Sequence, residues 1–137
     1  MTIRCTLQVL ATAALMAGAA TPSMAWRAIN SHTVNPLSPV SFEVIGRGGI
    51  SSVSYWCAAG DYARRVLDAP LGQRIYISRP RDHAQTENAK SAVQFSLDPP
   101  ANANLNPGFL LTVTRLGDNL SASAAWNLCI PQSGRAE

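Results

Sequence analysis

The sequence predicts an α+β domain: one mostly antiparallel sheet of about five strands with two helices on one face, tied by a disulfide. Three observations predict it. Several short segments alternate apolar and polar residues, which is the period of a half-buried strand. Residues 53–67 repeat apolar positions at helical spacing, directly after a glycine-rich turn. From Arg74 onward, turns and loops join the strand-like segments with no crossover helix, which favours antiparallel pairing. One twisted sheet with both helices on one face is the simplest layered solution.

Residues 1–25 have the layout of a secretory signal peptide. Residues 1–6 carry one Arg and no acid, residues 7–20 are mostly apolar, and small residues stand at Ser23 and Ala25. No later run approaches the ~20 apolar residues that a bilayer span needs. The expectation is therefore a single exported domain over residues 26–137, periplasmic or secreted, with no membrane contact after cleavage. A domain of ~100 residues can bury its own core. The net charge is +3 and loses one unit with Arg4. That small excess gives no case for a nucleic-acid partner. Of the three cysteines, Cys5 leaves with the leader, and Cys57 and Cys129 remain. In an oxidising compartment two thiols of one small domain pair. Such a bridge closes a loop of about 70 residues, worth ~4 kcal/mol by chain entropy.

Taken in order, residues 26–30 form a short, alternating edge strand. Residues 31–39 carry two prolines and read as a loop. Residues 40–45 alternate, with Val40, Phe42 and Val44 on one face and Ser41 and Glu43 on the other. Gly46, Gly48 and Gly49 make the turn that follows, and Ser51 and Ser52 are N-cap candidates. The first helix places Val53, Trp56, Cys57, Ala59, Ala63, Val66 and Leu67 on its apolar side, with an Asp61–Arg65 pair outside. Gly60 weakens that helix and lets another element come close. Pro70 ends it. Residues 74–79 and 91–97 alternate as strands, and residues 80–90 between them read as an exposed loop. Residues 98–108 form a turn-rich loop. Residues 109–116 are apolar and β-branched, the pattern of a strand buried on both faces. Residues 120–129 read as a second helix, with a final strand as the competing reading.

Candidate chemistry is sparse. A strand, a glycine turn and a helix start suggest an anion cradle from Arg47, Gly48, Gly49, Ser51 and Ser52. The turn lacks both the Walker lysine and the third glycine of the dinucleotide fingerprint, so no cofactor is implied. Cys57 near a helix start suggests a thiol nucleophile for an envelope amidase or peptidase, with His83 as its base. His32 and His83 are the only histidines, and both fall in loops. Pairing with Cys129 would remove the thiol. Two cysteines and two histidines without short spacing give no metal site. All the carboxylates fall on outer faces, turns or loops, so no acid–base pair stands out. The favoured reading is a non-enzymatic binding or accessory domain for an envelope partner or small ligand. Its contact candidates are the loops 80–90 and 98–108, because function concentrates on loops held by a rigid scaffold.

The nonapeptide Tyr55-Trp56-Cys57-Ala58-Ala59-Gly60-Asp61-Tyr62-Ala63, with Leu128-Cys129 near the end, resembles a signature of short exported alphaproteobacterial proteins of unknown function. The resemblance extends loosely from Trp26 to Arg79. It implies a bacterial envelope protein with a helix-anchored disulfide and carries no activity with it.

Overall fold

The structure is a computed structural model that describes residues 25–130. Residues 1–24, which hold nearly all of the expected leader, and residues 131–137 lie outside the described residues. The strands are β1 (Trp26–Arg27), β2 (Thr33–Ser38), β3 (Ser41–Gly46), β4 (Arg74–Asp82), β5 (Ser91–Ser96) and β6 (Asn119–Ser121); the helices are α1 (Ser52–Arg65) and α2 (Ala122–Asn127). The strands make one sheet in the order β1-β2-β3-β5-β4-β6, and every pair is antiparallel. The fold is thus α+β as expected, with six strands rather than about five.

The alternation of β3 sets the two sides of the sheet. Phe42 and Val44 join Val34, Val93, Phe95, Ile75 and Ile77 in the core under the helices. Glu43 pairs with Asn35 on one side and Gln94 on the other, making a polar row across the opposite face. Ser51 caps α1, and its side chain accepts from the Ser54 amide. All nine residues of the stretch Tyr55 to Ala63 are buried. Two apolar-side assignments differ: Val53 and Val66 are exposed. Gly60 has a packing reason. A Cβ there would lie 2.7 Å from the Ala125 carbonyl carbon and closer still to the Trp126 amide nitrogen. The backbone of α2 therefore rests directly on α1. Cys57 and Cys129 form the disulfide beside this contact, with Cα atoms 4.8 Å apart.

Three segments depart from the sequence reading. Residues 33–38 are a strand despite Pro36. The β1 pairing reaches only Thr33 and Val34, so Pro36 sits where β2 has a free edge and lacks no ladder partner. Residues 109–116 are irregular rather than a strand. β6 takes only Arg74 to Tyr76 of β4; beyond it this stretch meets β4 through the Arg81 amide and Val113 O, and Val113 alone of its residues is buried. The competing readings of residues 120–129 both hold in succession: Asn119–Ser121 pairs with β4, and α2 follows, capped by Ser121.

Two acids assigned to outer faces are fully buried. Asp61 pairs with Arg65 as expected, through Nε at 2.7 Å and Nη2 at 2.9 Å, and also accepts the Ile29 amide at 2.8 Å. Arg65 lies over the Trp26 ring. This fastens the start of the described chain to α1. Glu43 is held by four donors: the amides of Gln85 and Thr86, the Thr86 hydroxyl and the Gln94 side-chain amide, at 2.7 to 3.1 Å. The loop 83–90 thus folds back over the polar face instead of standing free. Also, β4 runs through Pro80 to Asp82, with register shifts on either side of Arg79.

These contacts give two predictions. Gly60→Val should destabilise the fold by about 2–3 kcal/mol through overpacking against the α2 backbone, read from urea unfolding; an unchanged midpoint would show that α2 moves freely. For Glu43, burial alone would raise the carboxyl pKa, but the hydrogen bonds outweigh it and hold it below the ordinary 4.5. The folded state then binds this proton less readily than the unfolded chain. The associated stability is complete above pH 4.5 and is lost as pH falls through the lower, folded value. Glu43→Gln should cost about 2 kcal/mol at pH 7 and flatten this acid dependence in pH-resolved urea melts.

Candidate functional site

The residues proposed for cysteine chemistry are placed apart. Cys57 is buried in α1 with its Sγ bonded to Cys129. His83 follows β4 and is exposed; its amide donates to Asp82 Oδ1 at 2.7 Å, and its carbonyl accepts from Arg79 Nη1 at 2.7 Å. It begins the loop that crosses the sheet face opposite α1. Among the described residues, no hydrogen bond joins His83 to Cys57. Also among them, no group of three or more His, Cys, Asp or Glu side chains is placed to hold a metal ion. No described helix is long and apolar enough to cross a membrane.

The anion cradle divides in two. Ser51 serves the helix as its cap, and its hydroxyl also meets that of Ser54 at 3.3 Å. The start of α1 is therefore closed by its own side chains. Arg47, Gly48 and Gly49 are exposed, and Gly49 has φ +71°, a backbone angle that favours glycine. Arg47 and Gly48 line a cleft whose far wall is residues 87–91. Lys90, which the sequence reading did not single out, belongs to that wall. Its place depends on a loop fastened by Glu43, a contact over 42 residues of chain that no local pattern reveals.

The largest apolar exposure lies on the irregular segment between β5 and β6. Phe109 is 109% exposed and Leu110 80%, with Leu105, Leu111 and Leu116 partly exposed nearby. The segment is held firmly at its base. Arg115 Nη2 donates to Asn106 O at 2.7 Å and to Asp118 Oδ1 at 2.9 Å. Asn119 Nδ2 donates to Leu105 O and to Gly117 O, each at 2.9 Å. The Trp56 indole donates to Thr112 O at 3.0 Å, and the Arg81 amide donates to Val113 O at 2.9 Å. Phe109 and Leu110 border a cleft of about 180 Å³ that also meets Trp56 and Leu120. Asp118 and Asn119 are the buried anchors of the loop.

Compared with protein-family models, with curated proteins and with solved structures, the chain matches none.

The disulfide has a direct chemical check. A chain of residues 26–137, unfolded without reductant, should show no thiol reactive toward a disulfide-exchange reagent, and two after reduction. One or more thiols before reduction would put Cys57 back in play as a nucleophile.

Proposed function

We propose that this chain is an exported, disulfide-stabilised, non-enzymatic binding domain of the bacterial cell envelope, and that it engages a protein partner through the apolar loop tip at Leu105 and residues 109–111. The observation that carries the reading is the exposure of Phe109 and Leu110 on a segment tied down at both sides. An exposed apolar cluster beside a cleft marks an interaction site more often than a free surface. Aromatic side chains are enriched at interface cores, where they supply large contact area. A pre-anchored loop also loses little freedom on binding. The region overlaps the loop 98–108 that the sequence nominated and extends beyond it. The paired cysteines support an oxidising compartment. The likeness of the α1 nonapeptide to short exported alphaproteobacterial proteins points the same way.

The test is site-specific photo-crosslinking in cells that export the protein. A photoreactive residue at Leu110 should give a discrete protein adduct, while one at Ser38 on the far side of the sheet should not. Phe109→Ser, with a photoreactive residue retained at Leu111, should lose the adduct and keep the melting temperature. Adducts from Ser38 alone, or none from the loop, would sink the reading.

A further inference from the structure

We infer that the cleft between the β3–α1 turn and residues 87–91 is a second binding site, which takes a small oxyanion-bearing ligand between Arg47 and Lys90. The cleft has a volume of about 350 Å³ and lies apart from the apolar loop tip. One wall is Ile45 to Gly48 at the end of β3; the other is Glu87 to Ser91, entering β5. Each wall contributes one cation. Among the described residues, neither Arg47 nor Lys90 forms a salt bridge. Glu87 also lines the cleft, but its Oε2 accepts from Asn35 Nδ2 at 3.0 Å, which ties the carboxylate back toward the sheet. Two cations against one acid leave the cleft positive.

The cleft is built rather than incidental. Beneath it, the Tyr55 hydroxyl meets Ser91 Oγ at 2.6 Å. Gly46 lies so close to this hydroxyl that a Cβ would collide with it and would stand 2.8 Å from the ring carbon that bears it. Arg81 covers the Tyr55 ring at 5.1 Å and donates to Ile50 O at 3.1 Å, bracing the turn. The second wall is positioned by Glu43, whose carboxylate takes the Gln85 and Thr86 amides just before it. Both walls are therefore fixed to the sheet before any ligand arrives, which lowers the ordering cost of binding. The field of Arg47 reaches beyond the turn. His32 has its pKa lowered by burial first and by the Arg47 charge second. An arginine and a lysine suit oxyanions by charge-assisted hydrogen bonds.

Amide spectra of the ¹⁵N-labelled mature domain, titrated at low salt with inorganic phosphate and separately with succinate, decide the matter. At least one probe should give saturable shifts confined to residues 45–48 and 87–91, and the pair tells a phosphoryl from a carboxylate preference. Arg47→Gln with Lys90→Gln, both on exposed side chains, should weaken that binding at least about tenfold and leave the other amides in place. Arg27→Gln, an exposed charge on β1, should change it little. No saturable shift with either probe, or saturation that survives the double substitution, overturns the inference. Neither result bears on the loop tip, so the two sites fail separately.

Discussion

The close approach of α2 to α1 at Gly60 is the contact on which the rest of the structure depends. A helix in a small α+β domain ordinarily buries one stripe and wets the other. Here nine successive residues of α1 are buried, so the helix has the sheet on one side and α2 with the irregular segment on the other. That is possible only because the side facing α2 is made of small residues. Cys57 and Gly60 are three apart and share a face. The first reaches Cys129 and the second admits the backbone at Ala125. A larger side chain at residue 60 would lift α2 and draw the two sulfurs apart. The bridge and the glycine contact are thus one arrangement. Its worth of ~4 kcal/mol in chain entropy is comparable to the whole net stability of ~5–15 kcal/mol expected of a domain.

The periphery is fastened differently, by buried carboxylates. Burying an ionised acid is costly unless hydrogen bonds replace its lost water. Asp61 meets that cost with the forked Arg65 guanidinium and one backbone amide. Glu43 has no cation within salt-bridge distance among the described residues and relies on four neutral donors. Each acid secures a peripheral segment. Asp61 holds residues 26–30 against α1, and Glu43 holds the loop 83–90 against the polar face of the sheet. Removing either acid would release a segment rather than open the core.

How much of this could be read from the sequence follows from how local each determinant is. The phase of β3 and the extent of α1 were legible, since periods of two and of 3.6 residues act within one segment. So was the role of Gly60, because a glycine inside a helical pattern needs a packing reason. Pro36 misled because it breaks a ladder only on the side that is paired, and the partner's length lies elsewhere in the chain. Residues 109–116 misled for the opposite reason. Strand propensity describes a fit to a half-buried pleated surface, and of residues 109–116 only Val113 is buried. Glu43 was placed on the correct face, but nothing nearby shows that a distant loop covers that face. For the same reason Arg47 and Gly48 were found in the candidate site and Lys90 was not.

Tyr55 and Trp56 explain how one helix serves two separate surfaces. Adjacent helical residues project about 100° apart. The Tyr55 hydroxyl reaches Ser91 beneath the cationic cleft, while the Trp56 indole reaches Thr112 at the base of the apolar segment. Each aromatic ring sits in the core, and its polar atom ends at the edge of a different surface, which is the use to which Tyr and Trp are suited. The two surfaces share a foundation but no hydrogen bond between their rims among the described residues. The cleft therefore draws its rigidity from Gly46, Ser91 and Glu43, and the loop tip from Asp118, Asn119 and Arg115. The two surfaces are joined through α1 and through Arg81, whose amide meets Val113 O and whose guanidinium meets Ile50 O and the Tyr55 ring.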